Sequence, residues 1–244
     1  MLRILIQIKQ GFVTYILWPI TTCLIYCPII IICLLLKDYK KVGWGIHQWG
    51  ESIFKLLGQS YEIEGLENID KDKRYILISN HGSMYDIALC TLLFNQQPIS
   101  WILKESLLKI PVANVMFLLG VGIPISRANA RGSQKKIMDK IKILRESINP
   151  HIIMYPEGTR SKDGKIHAFK RGFIQVMKEY QMDVLPVTLS GVYNFFSTKQ
   201  ILTDPSSILK VTIHPPQKYQ DLHTMTDKEI LEKVQTIIKK DYYA

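Results

Sequence analysis

Tyr75-Ile76-Leu77-Ile78-Ser79-Asn80-His81-Gly82-Ser83-Met84-Tyr85-Asp86 runs from an apolar stretch into a polar turn that holds a histidine and, five residues on, an aspartate. Unbroken apolar runs of this length, rich in β-branched residues, suit a strand buried on both faces, which is the condition of a parallel sheet covered by helices. Imidazole is the side chain most readily poised as a proton acceptor near neutral pH, and a carboxylate on its far nitrogen fixes tautomer and orientation. The stretch therefore reads as a strand delivering a base and its orienter. A second reading stays open: Ser83-Met84-Tyr85-Asp86 is also a capping-box pattern, in which Asp86 only starts a helix over Ile87 to Phe94.

The same alternation extends outward on both sides. Tyr61 to Glu64, Ser100 to Leu103, Gly122 to Ser126, Ile152 to Tyr155, Val184 to Leu189 and Leu209 to Ile213 read as further strands. Between them Ile137, Ile141, Leu144 and Ile148 mark one amphipathic helix, and Phe173, Val176, Met177 and Tyr180 mark another. A last helix opens at the capping box Thr226-Asp227-Lys228-Glu229 and carries Ile230, Leu231, Val234, Ile237 and Ile238. Strands alternating with helices predict an α/β layer fold, a mostly parallel sheet flanked by helices, in one domain over residues 59–244.

Residues 1–58 differ in kind. No charge occurs from Gln10 to Leu36, an apolar run longer than the roughly 20 residues a spanning helix needs, with no small-residue cleavage site after it. Pro19 and Pro28 interrupt the run, so two short helices dipping into one leaflet compete with one kinked spanning helix. Lys37, Lys40 and Lys41 follow it, against Arg3 and Lys9 before it, which favours the cytoplasmic face of the inner membrane for what lies downstream. Ile46, Trp49, Ile53 and Leu56/Leu57 recur at helical spacing and, with Trp44 and Trp49 as paired tryptophans suited to the headgroup zone, read as an interfacial helix, the alternative being a helix packed on the soluble domain. Cys23, Cys27 and Cys33 lie in or beside the lipid-directed run and Cys90 stands apart, with no disulfide or metal spacing.

Lys and Arg number 31 against 21 Asp and Glu, a formal charge of +10, which calls for an anionic partner unless it serves solubility alone. No zinc-finger spacing, aromatic ribonucleoprotein run or basic heptad helix points to nucleic acid. A membrane surface, an acidic protein or a phosphorylated substrate remains. Three strand-to-loop junctions are polar in one way: Ser79-Asn80-His81, Ser126-Arg127 after Gly122-Ile123-Pro124-Ile125, and Pro156-Glu157-Gly158-Thr159-Arg160-Ser161. Such junctions sit together at the carboxyl edge of a parallel sheet, where glycine admits close approach and arginine offers a fork for phosphate oxygens.

These blocks resemble those of the glycerolipid acyltransferases. His81 to Asp86 resembles their His-x-x-x-x-Asp signature, and Tyr155-Pro156-Glu157-Gly158-Thr159-Arg160-Ser161 their Phe-Pro-Glu-Gly-Thr-Arg-Ser block, with Tyr155 in place of phenylalanine. Gly122 to Arg127 and Val184-Leu185-Pro186-Val187 are similar to two further blocks, and Phe169-Lys170-Arg171-Gly172 keeps a Phe-Lys-x-Gly pattern. The likeness covers roughly residues 75–190 and is greatest to 1-acylglycerol-3-phosphate acyltransferases with an amino-terminal membrane anchor. It implies acyl transfer from acyl-CoA or acyl carrier protein to lysophosphatidic acid, giving phosphatidic acid, with glycerol 3-phosphate or another lysolipid as the alternative acceptor, and without metal or other cofactor. It implies His81 as base, Asp86 as its support, and a phosphate pocket of Lys104, Arg127, Glu157, Gly158, Thr159 and Arg160. In that pocket Gly158 would let phosphate approach and Glu157 would orient an arginine or the glycerol, turn N–H groups at Glu157-Gly158 or a helix amino terminus would serve the oxyanion, and Leu107, Val115, Met116 and Leu119 would border an apolar tunnel for the acyl chain. A thioesterase or lipase would also use a His-Asp pair, but no Gly-x-Ser-x-Gly elbow is present. A non-catalytic membrane-binding protein would need neither His81 nor Asp86.

Overall fold

All five residues of Tyr75–Ser79 are buried, because this strand lies inside the sheet and is covered on both faces. The computed structural model describes residues 2–109, 121–125 and 130–244, with side chains from residue 135 onward in the last span. Its strands are β1 (Tyr61–Glu64), β2 (Tyr75–Ser79), β3 (Ile99–Lys104), β4 (Gly122–Ile125), β5 (His151–Met154), β6 (Asp183–Ser190) and β7 (Leu209–Ile213). They join one sheet in the order β1-β7-β6-β2-β5-β3-β4. Every neighbouring pair is parallel except β6 with β7. The strand expectations hold to within about a residue, except that Ser126 lies outside the described residues.

The helices are α1 (Leu2–Leu35), α2 (Tyr39–Leu57), α3 (Asp86–Thr91), α4 (Ala130–Ser147), α5 (Gly172–Tyr180), α6 (Val192–Phe195), α7 (Tyr219–Leu222) and α8 (Asp227–Lys240). Alternate side chains of β2 serve opposite layers, as the strand period requires. Tyr75 and Leu77 pack with α1, α2 and α3. Ile76 and Ile78 pack with Ile141 and Leu144 of α4, Phe173 and Val176 of α5, and Ile230, Val234 and Ile238 of α8. The predicted capping box is formed, since Thr226 Oγ1 accepts from the Glu229 N–H while Glu229 accepts from the Thr226 N–H.

α1 is one helix with two π-helical segments, Val13–Leu17 and Thr22–Tyr26, each leading into a proline-bearing turn at Pro19 or Pro28. Proline has no N–H to give the preceding turn, and a widened turn takes up the break without ending the helix. One side of α1 is fastened to the body along its length. Arg3 pairs with Asp204 at 3.1 Å, Gln10 donates to Leu57 O at 3.2 Å, Tyr15 donates to Ile201 O at 2.7 Å, and Trp49 of α2 donates to Thr22 at 3.0 Å. Thr14 donates to Gln10 O, so the Tyr85 hydroxyl is the donor in the 2.6 Å contact with Thr14. The other side exposes Leu2, Leu5, Ile8, Phe12, Ile16, Ile20 and Leu24.

The interfacial reading of α2 is corrected. Ile46, Ile53, Phe54 and Leu57 are buried in the shared core, and Trp49 turns inward to Thr22 and Trp18; of the two tryptophans only Trp44 is exposed. Glycines permit this close docking: a Cβ on Gly50 would stand 1.9 Å from Thr91 Oγ1 and 2.8 Å from Ala88 O. Residues on both sides of position 58 thus contribute to one continuous core.

Two predictions follow from this packing. Gly50→Ala, which in an exposed helix would stabilise by up to about 1 kcal/mol, will here destabilise by about 1–3 kcal/mol, read as a lower melting temperature in detergent. The second concerns His151, wholly buried, accepting from the Tyr75 N–H at Nδ1 and donating to Gln97 from Nε2, with Phe94 stacked on the ring. Burial holds its pKa well below the usual value, so the folded state stays neutral where the unfolded chain takes up a proton. Stability is therefore lost as pH falls through the unfolded value near 6.5, by up to about 1.4 kcal/mol per unit. His151→Gln will flatten the fall in melting temperature between about pH 7 and pH 5.

Candidate active site

β2, β5 and β3 are neighbours, so the loops leaving their carboxyl ends lie side by side. The first carries His81 and Asp86, the second Glu157 to Arg160, and the third begins at Lys104. His81 Nδ1 is 2.7 Å from Asp86 Oδ2, which also accepts from the Gly82 and Ser83 N–H groups at 2.7 and 2.9 Å. Asp86 is wholly buried and orients the histidine; the capping-box reading is corrected, since α3 begins at Asp86 itself and ends at Thr91, its N-cap is Tyr85 with no side-chain cap bond, and the Ser83 hydroxyl donates to Phe196 O. A carboxylate at Nδ1 keeps the proton there and leaves Nε2 as the acceptor. Asp86 Oδ1 is buried and has no hydrogen-bond partner among the described residues.

The imidazole lies flat on Tyr155, with ring centroids 4.2 Å apart and planes 15° from parallel. The Tyr155 hydroxyl points to Cys90 Sγ at 3.5 Å, and burial pushes the ionisation of both groups upward, the thiol to about 12. Both are neutral packing groups behind the histidine. Asn80 fixes the loop from the other side, donating to Leu189 O and accepting from Leu189 N at 2.8 Å each, and Ser83 donates to Phe196 O.

Glu157 differs from the expectation that it orients an arginine or the glycerol. Oε1 accepts from the His81 N–H and Oε2 from the His167 N–H, each at 2.9 Å, and the Ser161 N–H donates to His81 O at 2.7 Å. Burial raises the Glu157 pKa, against the two backbone hydrogen bonds that lower it. The carboxylate joins three backbone segments and holds the main chain of the histidine in place. Gly158 has φ +72°, in the left-handed region, and its N–H donates to Tyr155 O, so it closes its own turn and is not aimed at an oxyanion. Thr159 and Arg160 are exposed beside it, as is Lys104 at the end of β3. Arg127 lies outside the described residues. Among the described residues no group of His, Cys, Asp and Glu side chains could hold a metal ion.

A cavity of about 420 Å³ adjoins this edge, lined almost wholly by apolar side chains that include Trp18, Ile30, Ile46, Met84, Ile87 and Trp101. Met84 and Ile87 flank the Tyr85-Asp86 pair in sequence, and Leu107, expected to border an acyl tunnel, is also in the wall. Val115, Met116 and Leu119, expected there too, lie outside the described residues.

A buried carboxylate, a histidine with one free nitrogen, cations at neighbouring strand ends and an apolar cavity define a site for transferring a chain-bearing group. The chain belongs to the acyltransferase family, whose model, described as Acyltransferase, matches residues 60–190. It is 29% identical over 190 residues to a 1-acyl-sn-glycerol-3-phosphate acyltransferase of Borreliella burgdorferi, covering 75% of this chain and 74% of that one. It is 30% identical over 170 residues to one of Limnanthes alba, covering 68% and 58%. Its fold matches the crystal structure of the 1-acyl-sn-glycerophosphate (LPA) acyltransferase of Thermotoga maritima with a TM-score of 0.78 and 26% identity, over 98% of this chain and 93% of that one.

The sequence singled out the pair and the polar junctions. It did not reveal the roles of Glu157 and Asn80, whose partners lie 76 and 109 residues away. Asp86→Asn is expected to lower turnover by roughly 10³–10⁴-fold with folding retained, since an amide no longer holds the required tautomer. Tyr155→Phe will keep near-native turnover and Tyr155→Ala will not, as initial rates with matched melting curves will show, because the ring face and not the hydroxyl supports the imidazole.

Proposed function

We propose that the protein transfers an acyl chain from a thioester to the free sn-2 hydroxyl of 1-acylglycerol 3-phosphate, giving phosphatidic acid. The observation that carries this reading is the His81–Asp86 pair at 2.7 Å, on a loop whose Met84 and Ile87 line an apolar cavity and at a sheet edge where Lys104 and Arg160 are exposed. His81 Nε2 takes the hydroxyl proton as the oxygen attacks the thioester carbonyl, and Asp86 stabilises the imidazolium. Collapse of the tetrahedral oxyanion breaks the carbon–sulfur bond, and the departing thiolate takes the proton from His81. No serine nucleophile and no cofactor enters this sequence. Lys104, Arg127 and Arg160 hold the acceptor phosphate, so that the hydroxyl is presented to His81, and positioning of this kind supplies several kcal/mol of the barrier reduction. The donor is acyl-CoA or acyl carrier protein, and the surplus of basic residues suits either anion.

Residues 2–58 act as a membrane-associated helical pair. The ties of α1 at Arg3, Gln10, Tyr15 and Thr22 span about 28 Å at about 1.5 Å per residue, so one side of the helix is committed to the protein over this length. This supports a helix lying in one leaflet with Leu5, Phe12, Ile16 and Leu24 toward the chains, rather than one crossing the bilayer. Lys37, Lys40 and Lys41 favour the cytoplasmic leaflet.

The test is an acceptor panel with purified protein in lipid and an acyl thioester donor. Lysophosphatidic acid should be used in preference to glycerol 3-phosphate and neutral lysolipids, with no acid released when the acceptor is omitted. Arg160→Ala should raise KM for lysophosphatidic acid about 10- to 100-fold and change kcat less, as expected for a lost charged hydrogen bond. A preference for neutral lysolipids, or acceptor-independent hydrolysis, overturns the reading.

A further inference from the structure

Lys170 is a cation at this edge to which the scheme above gives no task. Its N–H donates to Pro156 O at 2.9 Å, and the neighbouring Phe169 is buried, so the main chain at 169–170 is fixed against the turn that carries Gly158. Its Nζ lies 2.8 Å from the position a Cβ on Gly158 would occupy, with Cε and Cδ at 3.5 and 3.6 Å. The exposed side chain passes over Gly158, with its ammonium beside the Glu157–Arg160 turn. Glycine suits the φ of +72° there, and a side chain at this position would also move the tip of Lys170.

The ammonium has no carboxylate within 4.0 Å among the described residues. Glu157, the acid next to Gly158 in sequence, gives both oxygens to the His81 and His167 N–H groups. An exposed ammonium with no carboxylate partner, set beside the turn that carries Gly158 and Arg160, offers a compact charge to an anion.

We infer that Lys170 is a phosphate-binding residue of this site, its ammonium taking a phosphate oxygen of a substrate held beside the Glu157–Arg160 turn. The inference rests on the acyl-transfer reading and adds to it a residue supplied by a different segment of the chain. Two substrates bring phosphate to this edge: the phosphomonoester of the acceptor, and the phosphate that joins the pantetheine arm to the rest of the donor. Both present the same chemistry to a lysine.

Calorimetric binding to the full-length His81→Ala protein in detergent separates them, with a non-reactive ether analogue of lysophosphatidic acid in one arm, coenzyme A in a second and a neutral ether lysolipid in a third. Lys170→Met keeps the aliphatic stem over Gly158 and removes the charge, and Lys170→Arg restores charge. The expected result is a 10- to 100-fold loss of affinity on Lys170→Met in one phosphate arm, partial recovery with Lys170→Arg, no change in the neutral arm and an unchanged melting temperature. Loss in the ether-lysophosphatidate arm assigns Lys170 to the acceptor, and loss in the coenzyme A arm to the donor. Unchanged binding in both phosphate arms overturns the inference, as does an equal loss in the neutral arm. If the protein with Lys170 intact binds the neutral lysolipid as tightly as the phosphate analogue, the acceptor reading fails, and Lys170 is then judged on the coenzyme A arm alone.

Discussion

The buried carboxylate of Glu157 is the constraint on which the site depends. With one oxygen on the His81 N–H and the other on the His167 N–H, it joins loops leaving two adjacent strands, and the Ser161 N–H closes the clamp on His81 O. A carboxylate in that position is unfavourable by itself, and burial shifts its ionisation upward. Two backbone donors offset part of that penalty and tie the loop after β2 to the loop after β5. The imidazole is then fixed at its main chain by Glu157, at Nδ1 by Asp86 and on its face by Tyr155, and only Nε2 is left for chemistry.

The amino-terminal helices are built onto the same few residues. Tyr85, next to Asp86, is wholly buried, stacks on Trp18, donates to Thr14, and has its ionisation pushed up to about 12 by that burial. The surface proposed to meet lipid is therefore joined through one tyrosine to the residue that supports the base. The cavity between them takes walls from both parts, Trp18 and Ile30 from α1, Met84 and Ile87 from the loop and helix after β2.

Much of this was legible in the chain itself, and for a local reason. Strand and helix periods are set by near neighbours, so the seven strands and the apolar faces of α4, α5 and α8 could be read from spacing. The His81–Asp86 pair could be read because the turn between them is short enough for the sequence to bring the two groups together. The continuous apolar run of α1 was equally plain, though not that two widened turns carry the helix past Pro19 and Pro28.

What spacing cannot express is which strands become neighbours and which side chains meet across them. Placing β5 between β2 and β3 brings Glu157 to His81; docking α2 through Gly50 turns Trp49 inward; folding the segment after β5 back on its own turn lays Lys170 over Gly158. Each of these depends on the packing of segments whose meeting no local propensity encodes. The sequence by itself determined the elements, the paired histidine and aspartate and the apolar amino-terminal helix. Only the tertiary structure decided that the glutamate braces the histidine's backbone and that the glycine beside it leaves room for a lysine, because a carboxylate's role is set by the donors that reach it once the chain has closed.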